Sequence, residues 1–175
     1  MILSKFPTLF SGKSKSSRNK HLSFHFTVFI FLTFFLLADL AAEPVADKYY
    51  LRIQHNASSD KHDLDITSIG MLTIKDNLVG LANLSQLKSA FNGDAATLDL
   101  GGGYGYSGDV SLYALLGVSL GYNWDKDDYI AAYFPEVGIA LDITKKFGIT
   151  VSAKRYFNLY DEDENIVMLG LVFRE

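Results

Sequence analysis

Cysteine is absent from the 175 residues. That removes a disulfide framework, thiolate metal sites and a cysteine nucleophile from consideration. Positive charge is in deficit: 16 Lys and Arg stand against 20 Asp and Glu, a net charge of −4. A nucleic-acid binder normally carries a basic surplus, so that class falls away. Proline is scarce, at three residues. Long polar low-complexity tracts are missing too, which argues against a mostly disordered chain. What is plentiful is hydrophobic residues (49%), aromatic residues (14%) and glycine (14 residues). The length suits one domain preceded by a targeting segment.

The targeting segment is residues 1–42. Lys5, Lys13, Lys15, Arg18 and Lys20 precede a dense apolar run from Ser23 to Ala38, and Leu40-Ala41-Ala42 follows. A basic start, an apolar middle and a small-residue end are the three parts of a secretory signal peptide. An uncleaved membrane helix is the alternative, but it wants about 20 apolar residues and this run is shorter. The mature domain then covers residues 43–175, starts at Glu43 and carries 11 basic and 19 acidic residues, net −8. An exported acidic domain without thiols fits an oxidising compartment.

Within the mature domain, hydrophobicity repeats in twos. Phe147, Ile149, Val151, Ala153, Phe157 and Leu159 alternate with Gly148, Thr150, Ser152, Lys154 and Asn158. Val110–Asn123, Tyr129–Ile143, Ala96–Tyr106 and Ile166–Arg174 behave alike, as do Tyr49–Gln54 and Leu64–Lys75. Period two over such lengths predicts strands with two unlike faces. Leu78–Phe91 has a spacing that also suits a helix, and it is read as a strand because a closed antiparallel barrel needs an even count. The total is then eight. Ser107-Gly108-Asp109, Thr144-Lys145-Lys146 and Lys75-Asp76-Asn77 are short turns. His55–Asp63, Asn123–Asp128 and Asp161–Asn165 are read as longer loops on the other side.

Such alternation suits a soluble barrel or a membrane barrel, and the character of the faces decides. A soluble barrel hides its apolar stripe inside and shows charge outside. A membrane barrel turns the apolar stripe to lipid and fills a narrow bore with small or polar groups. Here the minor face is Gly, Ser, Thr and Ala with isolated charges, and glycine weakens an ordinary strand. With the N-terminus on the periplasmic side, Tyr104, Tyr106, Phe147 and Phe173 fall at the periplasmic strand ends. Tyr122, Tyr129, Tyr133 and Phe157 fall at the opposite ends. Two aromatic girdles around an aliphatic belt suit the two membrane interfaces. The expected fold is all-β: a single eight-stranded, antiparallel, up-and-down transmembrane barrel behind a signal peptide. Arg155 alone sits awkwardly on the lipid stripe, either snorkelling to the headgroups or displaced by a bulge.

The signal segment, eight alternating strands and closing strand Val167-Met168-Leu169-Gly170-Leu171-Val172-Phe173 resemble the small outer-membrane β-barrels of the OmpA/OmpX type in the Gram-negative cell envelope. The resemblance spans residues 47–175 and implies a cell outer membrane location. It also implies that Val167, Leu169, Leu171 and Phe173 form the C-terminal assembly signal read by the barrel-insertion machinery. Arg174-Glu175 depart from the pattern, since the family usually stops on the aromatic. Outer-membrane lipid and lipopolysaccharide are the implied surroundings, the chain being a monomer without nucleic acid, metal or cofactor.

Arg52, Asp99, Glu136, Asp142 and Lys154 are the charges on the lumen face. A three-residue turn at Thr144–Lys146 sets Glu136 opposite Lys154. Such a pair is read as neutralising charge in a filled lumen, the rival reading being an ion path or proton relay. His55 and His62 lie near Ser58, Ser59, Asp60 and Asp63, residue types that outer-membrane lipid-modifying enzymes of this architecture use at their rim. Loop spacing alone fixes no geometry, and the chain is read as no enzyme. Gly101-Gly102-Gly103-Tyr104-Gly105 lacks the Lys-Ser/Thr and the following helix of a phosphate loop. Asp125, Asp127 and Asp128, with Asp161, Glu162, Asp163 and Glu164, are solvated loop tips or a hard-cation site shared with lipopolysaccharide phosphates. The expected role is structural or surface-interacting, a narrow pore or a rim enzyme acting on lipid being the alternatives, and a soluble periplasmic lipid carrier the outsider.

Overall fold

A computed structural model describes residues 47–59, 64–160 and 162–174, the side chain of Ser58 excepted. The signal peptide 1–42, the mature start at Glu43, and Asp60, His62, Asp63, Asp161 and Glu175 lie outside the described residues.

Eight strands follow one another in the chain: β1 (Lys48–Ser59), β2 (Leu64–Lys75), β3 (Leu78–Ser89), β4 (Gly93–Tyr106), β5 (Val110–Asn123), β6 (Asp128–Asp142), β7 (Phe147–Leu159) and β8 (Glu162–Arg174). Each pairs antiparallel with the next, and β8 pairs antiparallel with β1, so the sheet closes. Each strand is longer than the 9–11 residues that cross a bilayer when tilted. The Leu78–Ser89 segment is strand because its alternation sends Val79, Leu81 and Leu87 inward and Leu78 and Leu84 outward.

The register gives the barrel its geometry. Lys48 pairs with Ile74, then the row runs through Val79, Gly103, Leu115, Glu136, Lys154 and Ile166. Ile166 pairs with Ser59, eleven positions up β1 from the starting residue. One of those positions is taken by a bulge between Asn56 and Ser58. The effective shear is therefore ten over eight strands, which tilts the strands by about 40° and leaves a narrow bore.

Connections of two to four residues join the strands at both ends, the end where β1 begins being called here the turn end. Asp76 and Asn77 both adopt positive φ, at 49° and 63°. That is the paired left-handed geometry whose twist suits a two-residue hairpin. At the opposite, loop end, all three of the expected loops shrink. Strand β6 already begins at Asp128, and β8 begins at Glu162, so Glu162 to Asn165 are strand and not loop. The expected loop His55–Asp63 is likewise strand as far as Ser59. The reason is visible in the side chains. Glu164 turns inward and accepts a hydrogen bond from Ser59, and Asp163 turns outward to Arg155 at 3.2 Å. Paired carboxylates at a rim are compatible with the ladder.

The two faces are unlike. Leu51, Ile53, Leu84, Leu98, Leu116, Val118, Val151 and Leu169 are all exposed on the outside. The buried interior holds Arg52, Asp99, Glu136 and Lys154 together with Tyr113, Phe134, Tyr156 and an apolar set that includes Ile66, Leu72, Leu115 and Met168. This is inverted relative to a water-soluble barrel, and it makes the outer surface a lipid-facing one.

Candidate functional site

The densest chemistry lies at mid-height in the lumen, where β1, β4, β6 and β7 each send one charge inward. Parity places them: Arg52 shares its face with Tyr50 and Gln54, Asp99 with Thr97, Glu136 with Phe134, and Lys154 with Ser152 and Tyr156. All four charged side chains are 1% exposed or less.

Arg52 Nη1 lies 2.7 Å from Glu136 Oε1 and also donates to Tyr113 Oη at 2.7 Å. Tyr113 in turn donates to Glu136 Oε1 at 2.9 Å. Lys154 Nζ bridges the two carboxylates, 3.3 Å from Glu136 Oε2 and 3.3 Å from Asp99 Oδ2. Glu136 and Lys154 are direct register partners on adjacent strands. Asp99 collects four further donors: Tyr156 Oη at 3.0 Å, Ser85 Oγ at 3.1 Å, Thr97 Oγ1 at 3.1 Å and Ser119 Oγ at 2.6 Å. Asn83, its amide turned to accept, takes a bond from Arg52 Nη2 at 2.6 Å. Lys154 Nζ also sits 4.7 Å from the centroid of Phe134 and 5.6 Å from that of Tyr156, within cation–π range. Two cations and two carboxylates cancel, so the lumen holds ions without holding net charge.

Glycines give the bulky members their room. A Cβ on Gly138 would run into the ring of Tyr113, and one on Gly117 into the ring of Phe134. A Cβ on Gly101 would lie 3.0 Å from Leu115 Cδ1. These strand glycines are the hollows into which the lumen's large side chains lie.

A second cluster closes the turn end. Asp142 accepts from Lys48 Nζ at 2.7 Å, Tyr50 Oη at 3.1 Å and Arg174 Nη1 at 3.1 Å. Lys48 also donates to the carbonyl of Gly108. Arg174, the residue beyond the terminal aromatic, thus folds inward because it shares parity with Val172.

The remaining sequence candidates are scattered. Tyr104, Phe147 and Phe173 stand outward near the turn end, with Phe147 and Phe173 at 5.7 Å between centroids, and Tyr106 is half-buried there. At the loop end Tyr122 meets Tyr129 at 5.4 Å and Trp124 at 6.5 Å, and Tyr133 stacks on Phe157 at 4.9 Å. On β8 Val167, Leu169, Leu171 and Phe173 form one outward row. Arg155 stays on the outer face, because the β7 bulge falls after Tyr156, and its guanidinium lies over Phe157 at 4.9 Å. His55 also points outward, its Nδ1 3.0 Å from Thr67 Oγ1 and 3.5 Å from Asp65 Oδ1. Asp125 accepts from the Asp94 N–H at 2.7 Å, Asp127 from the Tyr122 hydroxyl, and Asp128 from the Tyr129 N–H at 2.8 Å. Among the described residues no cluster of three or more His, Asp or Glu is placed to hold a metal ion.

Sequence reasoning missed the polar neighbours of the charges: Tyr113, Tyr156, Ser85, Thr97, Ser119 and Asn83. Their signal was parity, since each lies on the inward face of its strand.

No protein-family model and no curated protein matches the sequence. Solved structures do match. The N-terminal β-barrel domain of Pseudomonas aeruginosa OprF aligns with a TM-score of 0.56 at 14% identity, over 73% of this chain and 97% of that one. Neisserial surface protein A aligns at 0.55 and 10% identity, over 74% and 99%. The Yersinia pestis outer membrane protein Ail aligns at 0.51 and 16% identity, over 74% and 100%. At these identities the likeness is one of fold, and the chain has the architecture of the small eight-stranded outer-membrane β-barrels.

Proposed function

We propose that this protein is a small structural barrel of the Gram-negative outer membrane, with a lumen that does not conduct. It contributes to envelope integrity or surface interaction through its loop end. The observation that carries this is the Arg52–Glu136–Lys154–Asp99 quartet, fully buried and charge-balanced across the bore. An ion crossing that level would have to part buried pairs, and breaking a buried pair is costly. Phe134, Tyr113 and Tyr156 occupy the same level. Outer-membrane lipid and lipopolysaccharide surround the belt, the insertion machinery reads the end of β8, and the barrel works as a monomer.

A rim enzyme finds less support. Thr67 and Asp65 both approach the same ring nitrogen of His55. A nucleophile–base–acid relay needs them on opposite nitrogens.

Planar-bilayer recording tests the closed lumen: the reading expects a silent membrane, and stepwise conductance would overturn it. Cell fractionation with boiled and unboiled gels tests location and closure together, the expected result being an outer-membrane band that migrates faster unboiled.

A further inference from the structure

The lipid-facing belt is not of even height. His55, Thr67, Gln86, Ala96, Tyr122 and Tyr129 form one continuous row of register partners. Register rows climb as they pass round a sheared barrel. With a shear of ten over eight strands, Tyr122 on β5 stands about five residues further out than His55 on β1. At about 2.5 Å of axial rise per tilted residue that is roughly 12 Å.

Near the turn end the belt begins at about one level on seven strands, with Tyr49, Leu78, Tyr104, Val110, Leu141, Phe147 and Phe173, while on β2 Lys75 and Thr73 precede Met71. Its outer limit differs. On β1 only Tyr49, Leu51 and Ile53 precede His55, whose side chain is 60% exposed beside a 58% exposed Asp65. On β5 seven successive outward positions, from Val110 to Tyr122, carry no charge. The apolar height is thus roughly 15 Å on the β1 side and roughly 30 Å on the β5 side, against about 25 Å for an ordinary outer-membrane belt. Thr67 on β2 lies at nearly the same axial level as Val118 on β5, on the far side of the barrel. In a flat bilayer His55 and Thr67 would lie in hydrocarbon. Deforming the bilayer locally is the less costly response to such a mismatch.

Building on the outer-membrane reading above, we propose that the wedge-shaped belt thins the outer leaflet along β8, β1 and β2. Lipid headgroups and their water descend there to His55, Thr67 and Asp65, while β5 and β6 hold the leaflet at full height. The occupant of the polar notch is lipid headgroup, and the notch lies beside the β1–β8 seam.

Because the chain has no cysteine, single spin labels at Thr67→Cys and Val118→Cys in the full chain, folded into phosphatidylcholine vesicles, read the difference directly. The expected result is a several-fold higher ratio of water-soluble nickel-chelate to oxygen accessibility at position 67 than at 118. Oxygen-dominated accessibility at both sites overturns the thinning and leaves the membrane barrel intact. Chelate-dominated accessibility at both overturns the membrane reading itself. Should a labelled variant fail to fold, the unmodified chain gives a second measurement. Its folded yield should be higher in dilauroyl than in dioleoyl phosphatidylcholine, and the His55→Leu/Thr67→Leu variant should lose that preference. An unmodified chain with no preference for the thinner bilayer overturns the proposal.

Discussion

Arg52 on β1 and Glu136 on β6 lie 2.7 Å apart although their strands share no edge. The contact runs across the bore, so it ties two strands that no backbone pairing joins directly. Removing one partner strands the other. Glu136→Leu should cost about 3–5 kcal/mol, the usual penalty for orphaning a buried charge. Urea unfolding in detergent micelles, followed by heat-modified gel migration, measures it. Pairing the change with Arg52→Met should return a large part of the loss, and unchanged migration of the single variant would refute the coupling.

The glycine hollows make a sharper prediction. Gly138→Ala should destabilise by about 1–3 kcal/mol, the range for overpacking a filled interior, because its methyl meets the ring of Tyr113. Gly102→Ala is the control. It faces outward, and the nearest heavy atom to its added methyl is Val79 O at 3.8 Å. Its effect on the denaturation midpoint should be close to nil.

The two cations holding Asp142 at the turn end should be unequal. Arg174 is 34% exposed and Lys48 only 5%. Arg174→Ala removes a half-open pair and should cost less than about 1 kcal/mol. Asp142→Asn leaves Lys48 buried without its carboxylate and should cost more. Thermal unfolding in micelles ranks the two, and a reversed order would show that the C-terminal arginine is the main fastening.

Tyr160, in the β7–β8 connection, gives a pH dependence. Burial first, then the charge of Asp94, pushes its phenol up to about 12 from an ordinary 10. The folded state therefore holds that proton more tightly than the unfolded chain. The stability it supports is complete below about pH 10 and is lost as pH rises through about 12. Tyr160→Phe should flatten that alkaline limb of the stability curve, and an unaltered limb would assign it to other groups.

Much of this was written in the alternation of the chain. Period two told which side of each strand Arg52, Asp99, Glu136, Asp142 and Lys154 take, and the small residues around them told that this side is the narrow one. It did not tell which cation meets which carboxylate. Arg52 reaches Glu136 and not a neighbour on β2 or β8 because the shear sets their levels, and shear is a property of the closed sheet. The loop end was harder still. Glu162–Asn165 reads as a solvated acidic loop until Ser59 and Arg155 are brought to it by the β1 and β7 ladders. Bulges after Asn56 and Tyr156 reset the parity there, which is why Leu159, odd-numbered, lies inside while Tyr156 does too.

The hollows opposite the large lumen side chains divide the molecule's tolerance for change. On the outside, one aliphatic residue can replace another singly, since fluid acyl chains take up any shape. In the bore Tyr113 and Phe134 each lie over a glycine of the adjoining strand, so an altered residue there calls for a second alteration beside it. A library randomised on the interior should therefore yield folded variants chiefly as complementary pairs, whereas one randomised on the exterior should yield them as independent singles.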